Sequence, residues 1–279
     1  MKRILSYFKL IRLPNSLIAS ISVLVGALVS GDIECCWEKV LFASLSGLLI
    51  SSGGNSINDF FDLEIDRINK PYRPLPRGEI APRSALRLSI YLFVFGIVLS
   101  FWVRFLSILL ALLACALLIA YSSALKKRFL WGNVVVSLVS SLAFVYGGTA
   151  TSDLRLSLIP AALALLFHLG REILKDVEDV EGDAASGACT LPIKLGVGPS
   201  LGICTSVFSF LVMLSVLPYV LHVLSLPYLL LVVPGVDVVL VYVVWSMWKD
   251  PSKSNLHRLA NLLKVDMLVG MAAVLLGRV

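Results

Sequence analysis

Charge is what this sequence has least of. Charged side chains make up 15% of its 279 residues and hydrophobic ones 58%, whereas a soluble domain carries about 25% charged residues. With a mean hydropathy of +0.91, the composition excludes a soluble enzyme and defines an integral membrane protein. Cysteine is also sparse. Cys35, Cys36, Cys115, Cys189 and Cys204 show no CxxC or Cys/His ligand spacing, which argues against a structural zinc or a disulfide framework and leaves them as small apolar filler. The net charge of +6 reports membrane topology rather than a nucleic-acid partner.

What is present is a series of apolar runs, each near the ~20 residues that a helix needs to cross a bilayer. They fall at 14–31, 39–58, 82–102, 105–121, 131–150, 156–177, 198–217, 226–248 and 256–276. The runs extend along the whole length, so the expected fold is all-α: a single polytopic domain, 1–279, of nine transmembrane helices. The start, "MKRILSYFKLIRLPN", is basic like a signal peptide, but Lys9, Arg12 and Pro14 interrupt its apolar core. It reads as an amphipathic lead-in to the first span.

Lysine and arginine test the span count independently, because they should alternate between rich and poor connections. They cluster at the N-terminus (Lys9, Arg12), after the second span (Arg67, Lys70, Arg73, Arg77), after the fourth (Lys126, Lys127, Arg128), around the end of the sixth (Arg171, Lys175, Lys194) and after the eighth (Lys249, Lys253). The intervening connections hold only Lys39, Arg104 and Arg155. A multi-pass protein of the cell membrane with a cytoplasmic N-terminus is expected, and its unusual polar chemistry falls on the cytoplasmic side.

That chemistry is concentrated in two stretches. In "NDFFDLEIDRINKPYRPLPRG", Asn58, Asp62 and Asp66 stand at i, i+4 and i+8 and line one face if the second helix continues past Asn58. In "REILKDVEDVEGD", Glu172, Asp176, Asp179 and Asp183 form a second stripe at i, i+4, i+7 and i+11. Carboxylates at membrane depth are costly and point to function. Hard oxygen ligands of this kind suit Mg²⁺ held together with substrate phosphates. Lys70, Arg73 and Arg77, together with Lys126 in "YSSALKKR", could grip the outer oxygens of a diphosphate.

The first stretch resembles the NDxxDxxxD motif of the UbiA superfamily of intramembrane prenyltransferases, and "DVEDVEGD" followed by "GACTLPIKLG" resembles that family's second motif. The resemblance extends through "YSSALKKR" and covers essentially the whole chain. It implies a central cavity capped on the cytoplasmic side by the loops bearing the motifs, and Mg²⁺-dependent transfer of a prenyl group from a prenyl diphosphate to an acceptor. Carried onto this chain, it makes Asn58, Asp62, Asp66, Asp176, Asp179 and Asp183 metal-site residues. Asp62, Asp66, Asp179 and Asp183 would be catalytic, and Arg73 and Lys126 would hold diphosphate. From the residues alone, Tyr121 and Tyr146 read as packing residues, with an aromatic lining of a carbocation pocket as the alternative. Asp59, at the second position of NDxxDxxxD, and Glu64, Glu178 and Glu181 are acids beyond those six metal-site residues.

The second-motif stretch is most similar to the archaeal branch that forms the second ether bond of core lipids. That branch transfers a geranylgeranyl group to a lipid-phosphate acceptor, for which Arg12 and Asn15 in "KLIRLPNS" are the expected anchors. An aromatic or tetrapyrrole acceptor is the alternative within the same chemistry. A cation-coupled transporter would place its carboxylates near mid-span on broken helices, not at helix ends beside a basic loop. A CDP-alcohol phosphotransferase is disfavoured because its DGxxAR signature is absent.

Overall fold

The computed structural model describes residues 2–34, 36–151, 153–185 and 187–278, so Cys35 lies outside the described residues. Among those residues the regular structure is helical. Eight helices are long and apolar enough to cross a membrane, and a ninth span is obtained if one bent pair at the N-terminus counts as a single crossing. Eight of the nine expected spans are therefore present, with ends shifted by a few residues, and the first corresponds to that bent pair.

The chain divides into two compact units, 1–126 with 142–157, and 127–141 with 158–279. The first unit begins with α1 (Lys2–Leu10) and α2 (Leu13–Val29), which meet at a bend of 54°. Arg12, at the bend, has φ 48 and ψ 57. This left-handed conformation costs a non-glycine residue about 1–2 kcal/mol. It persists only where surrounding contacts hold it.

Helix α3 (Trp37–Phe61) continues through the motif as far as Phe61, and α4 (Leu63–Asn69) follows after a break at Asp62. Helices α5 (Pro82–Ser100) and α6 (Phe105–Ser123) pack against α3. A buried polar cluster ties the first unit together: Tyr146 Oη lies 2.8 Å from Ser46 Oγ and 2.9 Å from Ser100 Oγ. Such hydroxyl contacts are how helices associate where no hydrophobic force acts between them. Helices α2 and α7 (Trp131–Gly148) approach at backbone distance, since a Cβ on Gly26 would meet the Phe144 carbonyl at 2.0 Å and one on Gly147 the Val23 carbonyl at 1.9 Å. Only glycine fits at either place.

The second unit holds most of α8 (Leu154–Glu178), the short α9 (Val180–Ala185) and α10 (Leu191–Leu195), and α11 (Val197–Ser215) with α12 (Leu217–Val220). It is completed by α13 (Leu226–Val232), α14 (Val238–Lys249) and α15 (Lys253–Leu276). The expected eighth span is interrupted by a π-helical turn, Val233–Asp237. Pro234 accounts for the break, because it has no N–H to continue the α ladder. Within that turn Asp237 is buried and accepts a hydrogen bond from Ser215 at 2.9 Å. Phe208, Leu240, Leu259 and Leu263 are fully or almost fully buried in this unit.

Candidate active site

In the first unit, the continuation of α3 places Asn58 one turn before Asp62, and the Asn58 side-chain amide donates to Asp62 Oδ2 at 2.9 Å. The Asp62 carboxylate also forms an ion pair with Lys126, in the middle of the 3₁₀ turn Leu125–Lys127 that follows α6. Asp66, on α4, is buried and accepts from Arg73 Nη1 at 2.5 Å. The same nitrogen donates to Asp59 Oδ1 at 3.1 Å, and Arg12 Nη2 donates to that oxygen at 2.5 Å. Residues 12, 59, 73 and 66 therefore form one chain of alternating charges, and Asp62 and Lys126 form a second ion pair. Burial pushes the Asp66 carboxyl above its ordinary value, with Arg73 pulling in the opposite direction.

The other basic residues expected here are placed differently. Lys70 is half-buried at the end of α4, and its backbone N–H donates to Asp66 O at 2.9 Å. Arg77 pairs with Glu79 at 3.1 Å, its side chain 54% exposed. Glu79 in turn accepts from the Ser6 hydroxyl at 2.6 Å, and that hydroxyl and Arg77 hold its carboxyl below the ordinary value. Asn15 is exposed in the first turn of α2, and Tyr121 is half-buried near the end of α6.

In the second unit α8 carries Asp176 to the end of the span, and α9 continues it through Asp183. Asp176 Oδ2 accepts from the Asn133 amide at 2.8 Å. Asp179 and Asp183 are half-buried and linked through the backbone, the Asp183 N–H donating to Asp179 O at 2.9 Å. Glu172, which the sequence placed on the same stripe, is neutralised locally by Arg171 at 2.9 Å and Lys175 at 3.1 Å. Glu178 lies 2.7 Å from His257 Nδ1.

Sequence reasoning missed two residues of this arrangement. Asp59 stood out only as a surplus acid, although Asn55 one turn before it was a signal that the α3 face has a second use. Asn133 was the second, a lone amide in an apolar span.

Among the described residues no three His, Cys, Asp or Glu side chains are gathered into a ready metal cluster. The donors present nevertheless fit Mg²⁺. They are hard oxygens, and the amide oxygen of Asn58 is buried beside Asp62 with no hydrogen-bond partner among the described residues.

Comparison with known proteins agrees with this chemistry. The UbiA prenyltransferase family matches residues 19–265, and the chain belongs to that family. It is 34% identical to the digeranylgeranylglyceryl phosphate synthase of Methanosphaera stadtmanae over 97% of this chain and 98% of the relative. It is 35% identical to that of Methanocaldococcus jannaschii over 100% and 98% of the two chains. A solved structure of digeranylgeranylglyceryl phosphate synthase in membranes superimposes with a TM-score of 0.82 at 35% identity, covering 100% of this chain and 99% of the other. A UbiA homologue from Archaeoglobus fulgidus bound to GPP and Mg²⁺ shares the fold, with a TM-score of 0.74 at 18% identity over 96% and 99% of the chains.

Proposed function

We propose that this protein transfers the geranylgeranyl group of geranylgeranyl diphosphate to geranylgeranylglyceryl phosphate, forming digeranylgeranylglyceryl phosphate and diphosphate. The observation that carries this reading is the match of 34–35% identity along nearly the full length of curated synthases of that lipid. The alternating charge chain of the first motif supports it. The family match runs through both units, so they act as one catalytic domain.

Asn58, Asp62 and Asp66 of the first motif and Asp176, Asp179 and Asp183 of the second are the residues that would hold Mg²⁺. When bound, the metal supplies positive charge against the charge that develops on the departing diphosphate. Arg73 and Lys126, with Lys70, grip its outer oxygens, and fixed cations of this kind stabilise the leaving group without reorganisation. Arg12 and Asn15 anchor the acceptor's phosphate, while Tyr121 borders the prenyl chain. The apolar helices exclude water while the carbon–oxygen bond to diphosphate breaks and the ether bond forms, the acceptor hydroxyl releasing its proton. Arg77, half-exposed and paired with Glu79, contributes positive charge at the surface. The alternating Lys and Arg connections support a cytoplasmic N-terminus and a cytoplasmic reaction.

The test is to supply the purified protein with labelled geranylgeranyl diphosphate and geranylgeranylglyceryl phosphate, with Mg²⁺ or with a chelator. Labelled digeranylgeranylglyceryl phosphate should form only with the metal. Its absence under both conditions would overturn the proposal.

A further inference from the structure

Asp59 is the acid of the first motif for which metal binding leaves no role, and it is the most connected. Its side chain is 4% exposed, and one oxygen, Oδ1, accepts from both Arg12 and Arg73. Two guanidinium groups from positions 61 residues apart in sequence are thus fixed to a single atom. Asn55, one turn earlier on the same face of α3, donates to Ile11 O at 3.0 Å and to Ser16 Oγ at 3.3 Å. The face formed by Asn55 and Asp59 therefore holds the α1–α2 bend, including the left-handed backbone of Arg12. The neighbouring face presents Asn58 and Asp62.

A guanidinium carries five N–H donors. Arg73 uses Nη1 for both Asp59 and Asp66, and Arg12 uses Nη2 for Asp59. Among the described residues, each arginine keeps a further edge for an anion. Without a shared carboxylate the two cations would repel and separate.

We propose that Asp59 is a positioning residue: it sets the two arginines at a fixed spacing, so that the diphosphate of the donor and the phosphate of the acceptor are received in register, and it does not bind metal. This rests on the reading that Arg73 takes the diphosphate and Arg12 the acceptor phosphate. A single carboxylate then preorganises the headgroup contacts of both substrates, which lowers the ordering cost of each.

The experiment uses the full chain in lipid nanodiscs. Binding of geranylgeranyl S-thiolodiphosphate with Mg²⁺, and of geranylgeranylglyceryl phosphate, is measured separately for the wild type, Asp59→Asn and Asp59→Glu, together with the Mg²⁺ concentration that half-saturates diphosphate binding. For Asp59→Asn both dissociation constants should rise by about tenfold or more, the scale of a lost charge-assisted hydrogen bond, with the Mg²⁺ midpoint unchanged. Asp59→Glu should recover part of both losses. A rise in the Mg²⁺ midpoint would make Asp59 a metal ligand, and a shift for only one substrate, or for neither, would make its role purely structural. Either result overturns the proposal. Wild-type protein that binds the diphosphate but not the acceptor phosphate overturns the functional reading, and this inference with it. If Asp59→Asn does not fold, Arg12→Gln serves in its place. It should weaken the acceptor and also change diphosphate affinity through the shared oxygen, and an unchanged diphosphate affinity refutes the link.

Discussion

In the first motif Asp62 is paired with Lys126 and Asp66 with Arg73, whereas in the second Asp176 accepts from the neutral amide of Asn133. Both motifs place carboxylates at the ends of apolar spans, yet Asp62 and Asp66 face fixed cations and Asp176 faces a dipole. A cation partner opposes the effect of burial on a carboxylate's charge, and it also places a positive group where a phosphate is to be received. An amide partner orients the carboxylate without supplying charge. In the proposed reading the first motif serves both metal and diphosphate, and the second serves metal.

The largest effects should come from the carboxylates themselves. Asp62→Ala and Asp183→Ala are each expected to reduce transfer to background in a folded protein, measured by label incorporation beside a thermal melt, and full activity in either would separate that motif from the chemistry. Asp66→Asn should also abolish transfer, but with the opposite effect on stability. Because burial raises the Asp66 carboxyl, the folded protein holds that proton more tightly than the unfolded chain. Its stabilising contribution is present at low pH and lost as pH rises through the raised value. The neutral asparagine escapes that loss, so metal-free Asp66→Asn should melt slightly higher than the wild type at neutral pH, and the difference should shrink on acidification.

Next in size are the cations paired with the first motif's aspartates. Arg73→Ala and Lys126→Ala should each lower turnover by about 10²-fold, as removal of one preorganised charge stabiliser does. On the second motif, Asn133→Ala should cost about tenfold in Mg²⁺ affinity, the scale of a lost outer hydrogen bond to a metal ligand, with geranylgeranyl diphosphate affinity at saturating metal unchanged. An equal loss from Asn133→Ala and Lys126→Ala would erase the distinction between the motifs. The smallest effect belongs to Arg77→Ala. An exposed pair with Glu79 is worth little, and steady-state constants should stay within about twofold.

The parts of this arrangement that sequence made legible are those fixed by local spacing. The i, i+4 separation of Asn58 and Asp62 is the hydrogen bond observed between them, and apolar run lengths placed the helices because a bilayer sets their length. Pairings across long separations were not readable. Lys126 meets Asp62 from the end of another helix, and Arg12 meets Asp59 from before the first long span. Helical period says which residues share a face, but not what lies opposite. Glu172 illustrates the same limit, since its place on the acidic stripe did not reveal that Arg171 and Lys175 neutralise it. The π-helical turn did carry a signal, the Pro234–Gly235 pair inside an apolar run, but length alone made that run one span.

The most direct measurement is a competition in one vessel: purified protein, Mg²⁺ and labelled geranylgeranyl diphosphate with equal amounts of geranylgeranylglyceryl phosphate, 4-hydroxybenzoate and a chlorophyllide. The label should pass to geranylgeranylglyceryl phosphate. Label on either of the other acceptors, with none on the lipid phosphate, would contradict the assignment.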